Sequence, residues 1–227
     1  MSISSYGQFC PVAKACEILE PRWTLLILMV ILGGASHFNE IRRGVPGVSP
    51  TLLSKRLRGL EAQGLVERVE DLSTGAIDYI PTGVASELDP IIDALGKWAH
   101  RNIDSNVTLQ HLDARYLMWN IRRKLNVAAM PERRNVIRFE FFDAKNSEKS
   151  YWLIVAPRAP VELCLTDPRF DVDLYIEASL KAMTSYWIGY SSLHSELSKD
   201  RIRLIGNRLL IRTIDKWLVR SSFAEER

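Results

Sequence analysis

The side chains best placed to do chemistry in this chain are cationic and clustered. Residues 41–60 hold Arg42, Arg43, Lys55, Arg56 and Arg58 without one Asp or Glu, although the whole chain sets 30 Lys and Arg against 27 Asp and Glu. A local cationic surface of this kind attracts anions, a nucleic-acid backbone above all. Ser49-Pro50 supplies an N-cap and a proline for the first helical position, and Gly64 a left-handed stop, so the spacing predicts a helix between them. Leu53, Leu57 and Leu60 recur at i, i+4 and i+7. They point inward and throw Thr51, Ser54, Lys55 and Arg58 to the opposite side. Small polar and basic side chains on the N-terminal half of a helix are the set that reads base edges in the major groove of duplex DNA. Arg42 and Arg43, closing the preceding short helix, would reach phosphates and fix register without carrying sequence information.

Other chemistry is weakly signalled. His37, His100, His111 and His194 are scattered without metal-binding spacing, and neither G-x-S-x-G, a P-loop nor G-x-G-x-x-G occurs. No metal and no cofactor is expected, and the chain does not read as an enzyme. Asp171 and Asp173 alternate along a presumed strand and share a face, which suits a turn or a solvent-facing role better than paired catalytic carboxylates. Cys10, Cys16 and Cys164 are odd in number and lack C-x-x-C, which fits reduced thiols in a cytoplasmic protein. Cys16 and Cys164 read as core residues. The longest apolar run, Leu25 to Leu32, is far short of the roughly 20 residues that span a membrane. It also follows Glu17, Glu20 and Pro21, so neither a membrane partner nor a secretory signal is expected.

At 227 residues, with 47% hydrophobic and 25% charged, the chain has the usage of one or two ordinary globular domains. Charge divides unevenly: residues 1–104 carry 10 basic and 12 acidic groups, residues 105–227 carry 20 and 15. Helical spacing predicts a first helix from Cys10 to Leu19, with Val12, Ala13, Cys16 and Leu19 on its apolar face, and a core helix from Trp23 to Leu32 closed by Gly33-Gly34. Ser36 caps a short helix from His37 to Arg43. After the basic helix, Leu65 to Glu70 and Ala76 to Ile80 flank Ser73-Thr74-Gly75 and predict a hairpin. One amphipathic helix from Val84 to Ile103 follows, with Leu88, Ile91, Ile92, Leu95, Trp98 and Ala99 as its stripe. A polar joint at 104–112 marks the boundary between domains at 1–104 and 113–227. The second begins with a helix, Asp113 to Leu125. Strands are predicted at Val136 to Phe142, Tyr151 to Val155, Val161 to Leu165 and Val172 to Ile176, and helices at Ala178 to Tyr186, Ser191 to Leu197 and Ile211 to Leu218. The fold class is α+β.

Several stretches of the first half resemble the HxlR-type winged helix-turn-helix regulators: Phe9-Cys10-Pro11-Val12-Ala13, Arg22-Trp23-Thr24-Leu25-Leu26, Phe38-Asn39-Glu40-Ile41-Arg42-Arg43, Val48-Ser49-Pro50-Thr51-Leu52-Leu53-Ser54-Lys55-Arg56-Leu57 and Leu60-Glu61-Ala62-Gln63-Gly64-Leu65-Val66. The resemblance covers roughly residues 8–100. It implies a dimeric bacterial transcription regulator acting on a pseudo-palindromic duplex, with Ser49 to Gln63 as recognition helix and Leu65 to Pro81 as wing. Arg42, Arg43, Ser49, Pro50, Thr51, Ser54, Lys55, Arg56, Arg58 and Thr74 are then the candidate DNA-binding residues. The wing departs from the family pattern, since Thr74-Gly75-Ala76 replaces a proline-rich tip followed by an arginine. Cys10 stands where redox-responsive members keep a sensing cysteine.

The second half resembles the sterol-carrier-protein fold through Glu162-Leu163-Cys164, Asp167-Pro168, Asp171-Val172-Asp173-Leu174, Trp187-Ile188-Gly189-Tyr190 and Arg203-Leu204-Ile205-Gly206-Asn207. That resemblance implies a mostly antiparallel sheet with helices enclosing an apolar tunnel for a small hydrophobic effector. Trp119, Phe142, Trp152, Leu163, Leu165, Trp187 and Trp217 are the candidate lining. Two alternatives stay open: a hydrophobic-ligand carrier whose N-terminal domain does not bind DNA, and a regulator switched by the Cys10 thiol.

Overall fold

The computed structural model describes residues 5–145 and 148–226. The chain forms two compact units, Met1–Gly96 and Lys97–Arg227, whose terminal residues 1–4 and 227 lie outside the described stretch. The break falls earlier than the predicted boundary at 104. The residues just beyond it are tied within the second unit: Lys97 and Arg101 pair with Glu226 at 3.2 and 3.1 Å.

In the first unit the order is α1 (Pro11–Leu19), α2 (Thr24–Leu32), α3 (Phe38–Gly44), α4 (Pro50–Ala62), β1 (Val66–Glu70), β2 (Ile77–Pro81), α5 (Gly83–Ser86) and the start of α6 (Asp89–Asn102). Nine apolar or near-apolar residues in a row let α2 bury Ile27, Leu28, Val30 and Ile31. Around it close Ile41 of α3, Leu53, Leu57 and Leu60 of α4, Val66 of β1 and Ala85 of α5. β1 and β2 pair antiparallel, with Val66 opposite Pro81 and Glu70 opposite Ile77.

Three expectations are corrected here. The helix predicted over 84–103 is two, α5 and α6, because Pro90 has no N–H to donate to the carbonyl of Ser86. Ser36 is not the cap of α3: His37 occupies that position without a side-chain cap bond, while the Ser36 carbonyl accepts from Tyr79 N at 2.9 Å. The apolar face of α1 is not buried either. None of its residues is buried, Cys16 is exposed rather than in the core, and Phe9 and Val12 are 99% and 70% exposed.

The second unit carries a short helix α7 (Ser105–Thr108), then α8 (Ala114–Lys124), β3 (Asn135–Phe141), β4 (Ser150–Val155), β5 (Glu162–Cys164), β6 (Leu174–Ala178), α9 (Leu180–Ile188), α10 (Leu193–Ser198), β7 (Ile202–Gly206), α11 (Arg208–Arg212) and α12 (Ile214–Trp217). Its sheet has the order β5-β4-β3-β6-β7. β3 and β6 run parallel and the other three pairs antiparallel. β7 adds to the expected strands; Leu204-Ile205 interrupts its period-two alternation and hides it from a pattern reading. Ile137, Phe139 and Phe141 of β3, Tyr151, Leu153 and Val155 of β4, and Leu174 and Ile176 of β6 share one sheet face. Met118 and Ile121 of α8, Met183 of α9, and Ile214 and Trp217 of α12 belong to the same core.

Asp173 binds three strands together. Its carboxylate accepts from Val136 N at 2.9 Å and from Arg133 at 2.8 Å, and its carbonyl accepts from Asn207 N at 2.8 Å. That ion pair raises the affinity of Arg133 for its proton. The role is structural, as the sequence suggested for a turn.

Two tyrosines make this core sensitive to alkali. Burial, and then the nearby Glu148, push Tyr151 up to about 12; burial, and then Asp215, push Tyr186 up to about 12. A raised phenol favours the neutral folded state, so the contribution to stability is complete below the ordinary value of 10.0 and disappears as pH climbs towards 12. Urea unfolding is expected to show a marked loss of stability between pH 9 and about 11.5. In Tyr151→Phe/Tyr186→Phe that loss should be smaller. An unchanged loss in the double variant would assign alkaline sensitivity to other groups.

Candidate nucleic-acid interface

The basic helix α4 is positioned from both ends. At its start Ser49 Oγ accepts from Leu52 N at 3.2 Å, and Pro50 stands in the first turn where no donor is needed. Leu53, Leu57 and Leu60 then anchor one side in the core, against α2 and β1. Arg56 adds a further tie, its Nε donating to the Arg22 carbonyl at 2.8 Å. This clamps α4 to the turn after Pro21, where the chain passes through Trp23 at φ 81°.

The predicted DNA residues divide accordingly. Thr51, Lys55 and Arg58 are exposed on the outer side of α4, with Ser54 half-buried beside them. Ser49 and Pro50 are exposed at its start, and Arg42 and Arg43 are exposed in the last turn of α3. Between the two helices runs the tight connection Val45 to Val48, and Lys55 and Arg58 form no ion pair among the described residues. Arg56 is half-buried and engaged with Arg22, so its first task is to hold the helix.

The hairpin tip has a chemistry that the sequence reading missed. Asp71 accepts from the backbone N and the hydroxyl of Ser73 at 2.8 and 2.6 Å, and Gly75 N donates to the Asp71 carbonyl at 2.7 Å. The Ser73 hydroxyl and amide, joined by Thr74, hold the Asp71 carboxyl down to about 2. The tip is therefore anionic at any physiological pH. Thr74 sits in this turn with its Oγ1 accepting from Ala76 N at 3.2 Å, so it is both turn-bound and beside a negative charge. The signal was legible, because Asp-x-Ser-Thr-Gly is a sequence that closes an Asx turn. At the hairpin's other flank His37 Nδ1 lies 2.8 Å from Asp78 Oδ1, joining β2 to the start of α3.

Cys10 is half-exposed at the N-cap position of α1, with its carbonyl accepting from Lys14 N at 3.1 Å. Among the described residues no three His, Cys, Asp or Glu gather as a metal site, and no helix is long and apolar enough to cross a membrane.

The seven residues expected to line a C-terminal tunnel do not share one space. Leu163 faces the core side of the sheet with its partner Leu153, whereas Trp152 and its partner Cys164 point from the other face. Cys164 is thus not a core residue; it is half-exposed, and burial followed by Glu162 pushes its thiol up. Trp217 is fully buried and donates from Nε1 to the Leu210 carbonyl at 2.9 Å, so it fills the interior. Trp187 packs against that core with Leu163. Trp119 is buried outside it under the Arg123 guanidinium, and Phe142 and Leu165 are more than half exposed.

A helical core, a capped basic helix after a tight turn, and a following hairpin define the first unit as a winged helix-turn-helix. The HxlR-like helix-turn-helix family model matches residues 18–107. The HTH-type transcriptional regulator YvaP of Bacillus subtilis is 38% identical over 100 residues, 43% of this chain and 93% of that protein. YybR, another HTH-type transcriptional regulator of B. subtilis, is 30% identical over 96 residues, 42% of this chain and 77% of that protein. Among solved structures, the reduced form of the transcriptional regulator YodB from B. subtilis matches with 28% identity and a TM-score of 0.38, covering 43% of this chain and 97% of that one. The chain belongs to the HxlR-like helix-turn-helix family and is a DNA-binding transcriptional regulator of that type.

Proposed function

We propose that this protein is a cytoplasmic homodimeric regulator that recognises a pseudo-palindromic operator, with α4 entering the major groove and Arg42 and Arg43 on the flanking phosphates. The observation that carries the reading is the capped α4 presenting Thr51, Lys55 and Arg58 outward from a leucine-anchored helix. Lys55 and Arg58 supply the base or phosphate contacts, and Ser49, Thr51 and Ser54 the shorter polar ones. The anionic tip at Asp71 makes the hairpin a poor phosphate ligand, so affinity rests on α3 and α4.

Dimerisation is supported by apolar surface that a monomer leaves in water. On α6, Ile91, Leu95 and Trp98 recur at i, i+4 and i+7 and are 55%, 51% and 58% exposed; on α1 and just before it, Val12 and Phe9 are exposed as well.

The second unit is read as the sterol-carrier-like part, on the strength of its mostly antiparallel sheet covered by helices over an aromatic core. Of the expected lining, Leu163 and Trp187 stay on one side of the sheet and are the residues a hydrophobic effector would meet there. The partial exposure of Cys10 at the N-cap position of α1 favours a thiol switch as the second reading. A carrier without DNA binding is disfavoured by the exposed basic side of α4.

Incubating the purified protein with sheared DNA from its own genome at moderate salt, then sequencing what is retained, tests the main reading. A few two-fold symmetric sites are expected. Retention without sequence preference would reject operator recognition, and single asymmetric half-sites would reject the dimer.

A further inference from the structure

A cleft of about 1040 Å3 lies wholly in the first unit, between α1 with its preceding arm and the outer side of α4. Its origin is visible in the chain. Pro21 ends α1, and the left-handed turn at Trp23 redirects the backbone, so α1 leaves the edge Lys55, Gly59, Ala62 and Gln63 of α4 uncovered. Gly59 is notable in this edge. A glycine inside a helix is roughly 1 kcal/mol less favourable than alanine. Here neither a positive φ nor close packing asks for it, since a Cβ at Gly59 would meet nothing within 4 Å. The absent side chain keeps the floor of the cleft open.

The walls are apolar and cationic together. Tyr6, Ile18 and Pro21 form the α1 side, and Arg22, Lys55, Arg56 and Arg58 surround the opening. The two carboxylates of the cleft are already engaged. Glu17 accepts from Lys14 Nζ, Ser5 Oγ and Tyr6 N at 3.0, 2.9 and 2.9 Å, which lowers its proton affinity, and Glu20 accepts from the Tyr6 hydroxyl. Glu20 keeps its charge, because its partner is a neutral phenol, but Arg22, Lys55, Arg56 and Arg58 outnumber it. Lys55 and Arg58 have no ion-pair partner among the described residues, so the net charge offered to a ligand is positive.

We propose that this cleft binds an organic anion with an aromatic body and a carboxylate, its ring lying against Tyr6 and Ile18 over Gly59 and its carboxylate held by Lys55 and Arg58. This site is separate from the effector site suggested for the second unit. Because Lys55 and Arg58 cannot serve carboxylate and operator at once, ligand and DNA exclude one another. That consequence rests on the proposed role of α4 in DNA reading; the ligand site itself does not.

Calorimetric titration of the full-length, DNA-free protein with 2-naphthoate, 2-naphthylmethanol and 2-naphthylmethylamine tests the site. Naphthoate is expected to bind at least about tenfold more tightly than the alcohol, and the amine not to bind, because the free charges at the mouth are cationic. Gly59→Phe, which fills the floor, should weaken naphthoate by about tenfold or more, and Tyr6→Ala, on an exposed arm, by about fivefold. The Tyr6 variant reports on the site even where the Gly59 one folds poorly. Absence of naphthoate binding, equal affinity for the alcohol, or binding indifferent to both substitutions would overturn the proposal. Competition is read separately with a labelled operator fragment. Naphthoate bound in the cleft without releasing the operator would refute the shared use of Lys55 and Arg58, and leave the ligand site standing.

Discussion

Lys55→Ala/Arg58→Ala is expected to reduce operator affinity at least about 30-fold at fixed salt, because each well-placed cation on a recognition helix contributes roughly 1–3 kcal/mol. Both side chains are exposed and outside the leucine core of α4, so their removal leaves folding untouched. Thermal unfolding of the double variant should match the parent within the usual spread of surface substitutions, about 0.5 kcal/mol. The partition between the two cations is measurable. Removing a phosphate ligand weakens binding to every sequence alike and lowers the slope of log K against log salt by about 1, whereas removing a base reader relaxes selectivity at one position. Fluorescence polarisation with the symmetric site and a scrambled duplex, each at three salt concentrations, separates these. Retention of full affinity by the double variant would remove α4 from the interface. Arg56→Ala is a different case, since it also releases the bond to Arg22 that clamps the helix, and weaker DNA binding there would come with reduced stability.

Gly206→Ala is expected to destabilise the second unit strongly, costing about 3 kcal/mol and about 10 °C of melting temperature. Gly206 holds φ at 134°, where an L side chain is strained, and a Cβ there would stand 2.3 Å from the carbonyl oxygen of Asp173. That carbonyl is the acceptor for Asn207 N, and the Asp173 side chain fastens the starts of β3 and β6, so the chain cannot retreat without breaking the strand junction. Gly189, at φ 94° in the C-cap of α9, is the companion case: its Cβ would fall 2.3 Å from the Ala224 carbonyl oxygen, where the tail crosses and Ser221 N donates to the Trp187 carbonyl. Denaturant unfolding monitored by the second unit's tryptophans reads both. A Gly206→Ala variant as stable as the parent would mean the backbone gives way at the β6–β7 junction. DNA binding by α4 should survive either substitution at temperatures where the second unit remains folded.

What the sequence determined by itself is everything that follows from local spacing. The leucine period in α4, Ser49-Pro50 at its start and the capped helix after Asp113 are decided within a turn or two of chain, and they emerge as predicted. So do the hairpin, fixed by Gly75 and its neighbours, and the strands β3 and β4, whose β-branched and aromatic runs stand between turn-forming stretches. The basic side of α4 was legible for the same reason: once the leucines are inside, geometry dictates what is outside.

Tertiary structure decided whatever depends on residues far apart in the chain. Arg56 looked equivalent to Lys55 and Arg58 until the Arg22 carbonyl, 34 positions away, claimed its Nε. Leu163 and Trp152 looked like two walls of one pocket until strand pairing set them on opposite faces, since one residue of register reverses every side chain. Apolar spacing in α1 promised burial, and the fold left that face in water; periodicity names the face to be covered but not what covers it. The cleft above Gly59 is of the same kind: the glycine stands in the sequence, but the open space around it exists only because Pro21 and Trp23 turn α1 aside.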